Sequence, residues 1–391
     1  MTALATDTYA LTLDEARGVT EVDGADWDAL TTGASFYSSH AWLGFTERYG
    51  DCEPRHLVVR RAGRPVAALP TFRFTGDVPR YYDPAFLFPA AGYGDGPRRP
   101  LLLGGTRQGY TSEILLADGL PDEVAAAAVR LLLDRFRRLR DEETGLGALL
   151  YLTDRSVERL LPLLGPDDHV VLLDARARIP VEPTGMDGYR KLFSSHRFAR
   201  MRKEMRQYEA AGCRTEVLRL SECHDQLGEL SSQVLRRYGH QISAEDETDR
   251  FAAQAERLDD LCQVLVARQG DRIVGFTQFF VWDGVMYGRV HGVDDELGRA
   301  ASLYYNLTYY RAIEHAAARG HRWLDLGCDS YETKARRGAR LEPLWGLVLD
   351  ARWDERARAD IRAGERALHG ELAGWDPRLD TDTARRLAAR H

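Results

Sequence analysis

The chain has 391 residues, of which 44% are hydrophobic, and it carries 53 Lys and Arg against 60 Asp and Glu. This length predicts two or three domains, and the net charge of −7 argues against a protein that binds nucleic acid through an overall basic surface. The five cysteines form no CxxC pair and the histidines no HExxH motif, so we expect neither a disulfide framework nor a metal site. The N-terminus lacks the pattern of a signal peptide and no apolar run is long enough to span a membrane, so we expect a cytoplasmic protein.

The first predicted elements are two β-strands joined at Ala62-Gly63, within the segment HLVVRRAGRPVAALPTFRF at 56–74. The segment QVLVARQGDRIVGFTQFFV at 263–281 matches it without a gap, which aligns Gly63 with Gly270. Because this pattern occurs twice and not at a short repeating interval, it predicts a duplicated domain rather than a solenoid.

Further elements of the first copy follow its hairpin. In order, they are a strand at 112–118, a helix from Pro121 to Arg140, a strand at 148–154, a short helix and a strand at 169–175. The segment RARIPVEPTGM carries two prolines and a glycine and is predicted to be a linker. We therefore expect a first domain at 1–175, a linker at 176–186, a second domain at 187–350 and a helical tail at 351–391.

The second copy gives a clearer order of elements. It predicts a helix of about 20 residues ending at Gly212, a strand at 214–220, a helix opened by Ser221, a helix at 245–258, strands at 264–268, 273–282 and 285–293, a helix at 302–320 and a strand at 322–327. The fold class is therefore α/β (α+β). We expect two tandem domains, each with a mixed, mainly antiparallel sheet flanked by helices.

This order of elements resembles the GNAT acyltransferase fold. The resemblance implies that one strand splays from its neighbour, that the acyl donor enters the gap, and that the next helix points its N-terminus at the donor phosphates. The phosphate loop of that family reads Gln/Arg-x-x-Gly-x-Gly/Ala, and Gly298 and Ala300 match its last part. Asp295 stands at the Gln/Arg position between Asp294 and Glu296, and three acids disfavour a polyanion.

The segment SLYYNLTYYRAIEHAAARGHRWLDLGCDSYETKARRGARLEP at 302–343 resembles a subgroup of that family, the Fem-like peptidyltransferases, whose two GNAT domains act as one unit. Tyr309 and Tyr310 begin its Tyr-Tyr-x-Ala-Ile pattern, and Lys334 stands in its loop of a lysine followed by a glycine. The resemblance covers roughly 20–350. It implies transfer of an aminoacyl group from aminoacyl-tRNA to an amine, and relatives in antibiotic pathways acylate small molecules.

Lys334 is the first candidate for catalysis, because it is one of three lysines in a chain that otherwise uses arginine. A fixed cation beside a tetrahedral oxyanion lowers the barrier by some 3–4 kcal/mol, and the alternative is a surface lysine in a basic loop. His291 is a candidate general base, and Tyr331 lies within reach of Lys334. By strand alternation, Arg289 and His291 share a face with Tyr287, unless these polar residues face solvent.

Other residues are predicted to bind the substrates. The candidates for substrate binding are Tyr304, Tyr305, Arg289, Asp325, Asp329 and Gln278, of which Asp325 or Asp329 could bind the ammonium of the acceptor. The candidates for donor phosphates or tRNA are Gly298, Ala300, Arg197, Arg200, Lys203 and Arg337. The alternatives are aromatic helix core for the tyrosines, strand termination for the aspartates and a solvated amphipathic helix for the residues around Arg200.

The sequence therefore predicts an N-acyltransferase whose second copy is catalytic. We favour aminoacyl-tRNA as co-substrate, with no tightly bound cofactor, and an amine of a small molecule or peptide in a specialised or cell-wall pathway as acceptor. One alternative is an acyl-CoA-dependent N-acyltransferase of specialised metabolism, and another is an inactive duplicate that binds a peptide or wall precursor. We expect no DNA partner and no membrane span.

Overall fold

The computed structural model describes residues 9–93 and 100–389. The described residues form two compact units, one of residues up to 176 together with 341–389, and one of residues 177–340. The predicted linker at 176–186 is wrong in its first part, because residues up to Pro180 continue a strand. Ala175, Ala177 and Ile179 are buried there and alternate with half-buried residues, which is the period of a strand.

The chain up to the end of the ninth strand contains these elements. Its strands are β1 (Leu11–Ala16), β2 (Glu53–Pro54), β3 (His56–Arg61), β4 (Arg64–Leu69), β5 (Thr71–Phe74), β6 (Leu101–Gly104), β7 (Leu115–Leu116), β8 (Gly147–Leu152) and β9 (His169–Pro180). Its helices are α1 (Gly24–Asp28), α2 (His40–Thr46), α3 (Pro84–Leu87), α4 (Asp122–Leu139) and α5 (Asp154–Leu160).

The rest of the chain contains further strands and helices. The strands are β10 (Arg214–Leu218), β11 (Cys262–Gln269), β12 (Arg272–Trp282), β13 (Val285–Val293), β14 (Trp323–Asp325) and β15 (Arg340–Val348). The helices are α6 (Met186–Arg190), α7 (Ser195–Ala210), α8 (His224–Arg237), α9 (Ala244–Leu258), α10 (Leu297–Ala300), α11 (Leu303–Tyr305), α12 (Arg311–Ala318), α13 (Tyr331–Ala335), α14 (Glu355–Trp375) and α15 (Asp382–Ala388). The mixed α/β fold class and the helical tail are thus confirmed.

Each unit has its own strand order. The first unit pairs β1-β3-β4-β7 and, separately, β9-β15-β8-β6-β5-β2. The second unit pairs β10-β11-β12-β13-β14, and β14 also pairs with the end of β9, from Arg178 to Pro180. Most ladders are antiparallel, whereas β6 with β8 and β13 with β14 are parallel.

Both predicted hairpins are present, and their ladders correct the alignment between them by one residue. In the first, Arg61 pairs with Arg64, and in the second Gln269 pairs with Arg272. The two-residue turns therefore correspond, so Gly270 is equivalent to Ala62 and not to Gly63. Ala62 and Gly270 both have a positive φ, of 49° and 60°.

An equivalent arginine contact in the two hairpins supports the duplication. Arg60 Nε lies 2.7 Å from a carboxylate oxygen of Asp14, and Arg268 Nε lies 2.6 Å from one of Glu216. Each guanidinium also donates to the carbonyl of the second turn residue, at 3.2 Å and 2.8 Å. Both ladders shift register next to this arginine, so the two copies share a bulge as well as the position of a two-residue turn.

The predicted 20-residue helix before Gly212 is divided into α6 and α7. The second helix, α7, begins after Ser194. The Ser194 hydroxyl caps it by accepting a hydrogen bond from the amide of Arg197. The helix predicted from Ser221 begins at His224, since the Ser221 hydroxyl donates to Asp259 at 2.6 Å instead.

Helices cover both faces of the second sheet. On one face of β12, Phe276 packs against Phe251 of α9, with ring centres 5.6 Å apart. On the other face, the hydroxyls of Thr277 and Thr308 lie 3.0 Å apart, which places the helical segment from α11 to α12 there. That segment contains one π-helical turn, at Asn306–Tyr310, a feature that is frequent near functional sites.

Candidate active site

Two strands of the second unit diverge. The parallel ladder between β13 and β14 ends at Tyr287 and Asp325. β13 continues to Val293 alongside β12, whereas the chain after Asp325 stays with β9, where the amide of Leu326 donates to the carbonyl of Ala177 at 2.8 Å. We call the resulting gap the wedge. It is the opening that the resemblance to the GNAT fold implies.

The first unit closes the corresponding gap. There β6 lies between β5 and β8, as β13 lies between β12 and β14, and the ladder to β8 ends at Gly104. Ser112 then resumes the pairing, because its amide donates to the carbonyl of Tyr151 at 2.8 Å and its carbonyl accepts from the amide of Thr153 at 3.2 Å. Within the described residues, the open gap is therefore a feature of the second unit.

A β-bulge at Arg289 decides which side chains enter the wedge region. Gly288 and Val290 pair with consecutive residues of β12, so Arg289 is the extra residue. Such an insertion inverts the alternation of side chains beyond it. His291 consequently shares the face that α11 and α12 cover, and Tyr287 lies on the opposite face. The prediction that Tyr287, Arg289 and His291 share one face is therefore wrong.

His291 packs against an aromatic ring next to the wedge. Its imidazole is half-buried, with its centre 4.6 Å from that of the Tyr304 ring, and it has no hydrogen-bond partner among the residues described. Burial, together with the charges of Arg237 and Lys334, lowers the pKa of His291 to about 4. The side chain is therefore neutral at pH 7 and keeps a lone pair available to an amine proton.

Lys334 is buried, with 5% of its surface exposed. Its Nζ donates to the carbonyl of Gly327 at 3.2 Å and to that of Cys328. Asp329 and Ser330, which follow, have left-handed backbones with φ of 66° and 53°, a conformation that costs non-glycine residues energy. The ammonium thus stabilises a strained turn after β14. A contact with a substrate oxyanion stays a prediction.

Three predicted residues surround that turn. One carboxylate oxygen of Asp325 accepts from the amide of Gly327 at 2.9 Å, and the other lies 3.6 Å from Nε of Arg178. Asp325 is buried where β14 ends, and its binding of an acceptor ammonium stays a prediction. Asp329 is exposed on the turn, and Tyr331 is the half-buried first residue of α13.

Gln278 does not line the wedge. It is fully buried, and its Nε2 donates to Oε1 of Gln254 at 2.7 Å, with the sulfur of Cys262 at 3.5 Å. Gln254 lies on α9, which covers the face opposite to His291. The prediction that Gln278 binds substrate is therefore wrong, because the register of β12 turns it to the other side of the sheet.

Arg337 is enclosed and does not face a phosphate. Its Nη2 lies 3.1 Å and 3.2 Å from the two carboxylate oxygens of Glu204, which also accept a hydrogen bond from the hydroxyl of Tyr310. The guanidinium carbon is 3.6 Å from the centre of the Tyr305 ring. The prediction of a phosphate contact at Arg337 is therefore wrong. The half-buried Tyr304 and Tyr305 lie where predicted, in the first turn of the segment.

The loop after β13 satisfies its own amides. One oxygen of the Asp294 carboxylate accepts from the amides of Glu296 and Leu297 at 3.0 Å and 3.1 Å, and the other lies 2.9 Å from Arg272. The amide of Gly298 donates to the Asp294 carbonyl at 2.8 Å. Donors that would face a phosphate in a GNAT loop are thus engaged here by a carboxylate. Ala300, the second predicted residue of this loop, is exposed at the end of α10.

Cations crowd the exposed side of α6 and α7. We define the basic face as the exposed residues Arg190, Lys191, Arg197, Arg200, Arg202, Lys203 and Arg206. The predicted residues Arg197, Arg200 and Lys203 all belong to it. The chain as a whole has a charge of −7, so the basic face is a local reversal of sign.

Sequence reasoning missed Glu204 as a partner of Arg337 and Arg237 as a neighbour of His291. A recognisable pattern was available for Glu204. Phe198, Met201 and Tyr208 are the other buried residues of α7, and Glu204 falls in the same helical stripe. An acid in an apolar stripe predicts a buried cationic partner, because an unpaired buried charge is costly.

Two further properties concern the described residues as a whole. None of their helices combines the length and the apolar character needed to cross a bilayer. No cluster of three or more His, Cys, Asp or Glu side chains in this part of the chain is arranged to hold a metal ion.

Comparison with known proteins identifies the domain that contains the wedge. Residues 195–335, from α7 to α13, match the family model described as an acetyltransferase (GNAT) domain. Among curated proteins, none matches the sequence.

Solved structures resemble nearly the whole chain in fold. FemX is 10% identical with a TM-score of 0.59, and the match covers 83% of this chain and 96% of FemX. The C-terminal domain (DUF2156) of the Agrobacterium fabrum protein named as a lysylphosphatidylglycerol synthetase is 11% identical with a TM-score of 0.56, covering 90% and 97%. A conserved protein of unknown function from Bacteroides thetaiotaomicron is 11% identical with a TM-score of 0.53, covering 86% and 99%. The chain is therefore an acyltransferase with a GNAT domain at residues 195–335, and it shares the fold of FemX.

Proposed function

We propose that the chain transfers an aminoacyl group from aminoacyl-tRNA to an amine at the wedge of the second unit. The acceptor is a small molecule or a peptide of a specialised or cell-wall pathway. The observation that carries the choice of donor is the Asp294 carboxylate, which holds the amides of Glu296 and Leu297.

A pyrophosphate would have to displace that carboxylate and approach Asp295 and Glu296 as well. This loop therefore contributes little to the affinity for an acyl-CoA. A tRNA has phosphates along its whole backbone, and the basic face offers exposed cations at Arg197, Arg200 and Lys203 to neutralise them.

The reaction is the attack of a neutral amine on the ester carbonyl of the aminoacyl-tRNA. The carbon–nitrogen bond forms and the bond from the carbonyl carbon to the ribose oxygen breaks, while the proton lost by the amine is transferred to that oxygen. In the proposal His291 accepts the amine proton, since it is neutral and lies beside Tyr304. Lys334 supplies positive potential for the oxyanion, and Tyr331 lines the same turn.

The second candidate is an acyl-CoA-dependent N-acyltransferase. The match of residues 195–335 to an acetyltransferase domain favours it. Its co-substrate would enter the same wedge, so the two candidates differ in the donor and not in the place of reaction.

The donor is tested with the purified chain, a panel of amines and two donor sets, analysed by mass spectrometry for amide products. One set contains tRNA with a charging system, and the other contains acyl-CoAs. We expect product with charged tRNA that ribonuclease abolishes. Product from acyl-CoA alone would reverse the assignment of the donor.

The basic face is tested with the charge reversal Arg197→Glu, Arg200→Glu and Lys203→Glu. We expect a lower kcat/KM for charged tRNA and a weaker dependence of KM on salt, since fewer counterions are released on binding. The matched control is Arg356→Glu with Arg386→Glu, which reverses exposed charges outside the GNAT domain. An equal effect of the two variants would contradict the proposed contact.

A further inference from the structure

A row of side chains links the two sides of the wedge, from β13 to the segment that follows β14. The centre of the His291 ring lies 4.6 Å from that of Tyr304, and the centre of the Tyr304 ring lies 5.4 Å from that of Tyr305. The guanidinium carbon of Arg337 lies 3.6 Å from the centre of the Tyr305 ring. We call these side chains the row. It connects the strand that carries His291 with the segment that carries Lys334.

Arg337 reaches the row from a rigid stretch of backbone. Its amide and that of Ala339 both donate to the carbonyl of Lys334 at 3.0 Å. Gly338, between them, has a φ of 83°, a conformation that glycine adopts without strain. The hydroxyl of Tyr189 donates to the carbonyl of Arg337 at 2.7 Å. The place from which the Arg337 side chain extends is thus tied to that of Lys334.

Buried contacts fix the orientation of the guanidinium. Nη2 of Arg337 lies 3.1 Å and 3.2 Å from the carboxylate oxygens of Glu204, and Nη1 donates to the carbonyl of Thr333 at 3.4 Å. Both terminal nitrogens are engaged, so the guanidinium stays over the Tyr305 ring. A cation that is shielded from water is attracted to a ring face more strongly than an exposed one.

Burial separates the rings of the row from the arginine behind them. The rings of His291, Tyr304 and Tyr305 are half-buried and can meet a substrate in the wedge. Arg337 and its partner Glu204 are each 8% exposed. Arg337 can therefore affect the reaction through the groups that it holds, and not by contact with the substrate.

We propose that Arg337 is a positioning residue. It holds the Tyr305 ring, and through it the Tyr304 ring beside His291, in a fixed place relative to Lys334. The inference rests on the proposed function, in which His291 accepts the amine proton and Lys334 faces the oxyanion. Both groups act at one reacting carbonyl, so a loss of their mutual placement slows the chemical step. Binding of the donor to the basic face does not depend on this placement.

The first test removes both buried charges, with Glu204→Met and Arg337→Met together, because neither charge is then left without its partner. We expect this methionine pair to fold, kcat for amide formation to fall between about tenfold and 100-fold, and KM for the donor to stay close to the wild type. The control pair is Glu209→Met with Arg311→Met. It also removes an ion pair of α7, at 3.0 Å, whose guanidinium lies 5.7 Å from the ring centre of Tyr208, outside the row. We expect the control pair to keep the wild-type kcat, and a methionine pair with the same kcat as this control would overturn the inference.

Tyr305→Leu tests the path of the effect. If Arg337 acts through the ring, adding Tyr305→Leu to the methionine pair lowers kcat no further. Independent effects that multiply would overturn the inference. Arg337→Lys keeps a charge beside Glu204 but lacks the planar guanidinium, so we expect a lower kcat, and a wild-type kcat would overturn the inference whether or not the methionine pair folds.

Fluorine NMR of the chain labelled with fluorotyrosine reports on the ring without turnover, and Tyr305→Phe assigns its signal. We expect this signal to shift or broaden in the methionine pair and in Arg337→Lys, and to stay unchanged in the control pair. An unchanged signal in Arg337→Lys would overturn the inference. A shifted signal, together with the absence of amide product from every donor, would keep the placement of the ring by Arg337 and overturn the proposed function.

Discussion

Glu204→Ala should destabilise the second unit far more than the loss of an exposed carboxylate from the basic helix α7 would. Both carboxylate oxygens of Glu204 lie within 3.2 Å of Arg337, and both side chains are 10% exposed. The hydroxyl of Tyr310 donates to the same carboxylate. Removing one partner of a buried ion pair costs about 3–5 kcal/mol, because the remaining charge stays buried without compensation. The hydroxyl left without an acceptor adds about 1 kcal/mol.

The measurement is urea unfolding followed by circular dichroism and tryptophan fluorescence. The chain has two units, so the variant should shift the transition assigned to the second unit and leave the other in place. Glu204→Met combined with Arg337→Met should recover most of the loss, since removing both charges leaves neither unpaired. The matched control is Glu209→Ala on the same helix, whose side chain is 62% exposed and pairs with Arg311. We expect this control to cost less than about 1 kcal/mol. A Glu204→Ala cost as small as that of the control would refute the reasoning.

Three further predictions concern other parts of the second unit. Lys334→Met removes the charged hydrogen bonds that the ammonium donates to the carbonyls of Gly327 and Cys328, so we expect a loss of about 1–3 kcal/mol in the free energy of unfolding and at least a tenfold lower initial rate of amide formation. A near-normal rate of Lys334→Arg would contradict a special role of the ammonium. The folded-state pKa of His291 is about 4 against 6.5 when unfolded, so the unfolded chain binds more protons and this contribution to stability is lost as pH falls from 6.5 to 4. His291→Phe should reduce the slope of unfolding free energy against pH in that range, and an unchanged slope would refute the assignment. Gly292→Ala places a Cβ 2.6 Å from the carbonyl carbon of Leu230 and should lower the free energy of unfolding by at least about 1–3 kcal/mol. The control is Gly364→Ala, where a Cβ meets nothing within 4 Å. We expect this substitution to be neutral or stabilising in the same assay.

Features that depend on neighbouring residues could be predicted from the sequence. The predicted strands at 273–282 and 285–293 are β12 and β13, and the two residues between them, Asp283 and Gly284, form the turn with φ of 42° and 70°. Asp and Gly adopt this left-handed conformation at low cost. The helix predicted at 245–258 is α9, which Ser243 and Asp246 cap reciprocally. In each case the residues that decide the structure lie within a few positions of one another.

Features that depend on distant contacts could not be predicted. The bulge at Arg289 is visible only in the pairing of β13 with β12, and without it the alternation puts His291 on the wrong face. Arg337 looked like a phosphate contact because its partner Glu204 is 133 positions away. Lys334 was found from its rarity, yet rarity says nothing about the carbonyls that its ammonium binds.

The two copies share an equivalent arginine contact in their hairpins, made by Arg60 and Arg268. They differ in the gap between strands, which is where acyl transfer would occur. Ser112 fills the gap of the first unit, and Gly105 fits there because a Cβ would lie 2.4 Å from the Ser112 hydroxyl. A gap that Ser112 bridges with two backbone hydrogen bonds admits no acyl donor there, since entry of the donor would break both bonds at a buried residue. In the second unit the wedge is open, and His291, Lys334 and the strained turn lie around it. We therefore expect one acyl-transfer centre per chain, so that a substitution at Lys334 removes activity without a residual rate from the first unit.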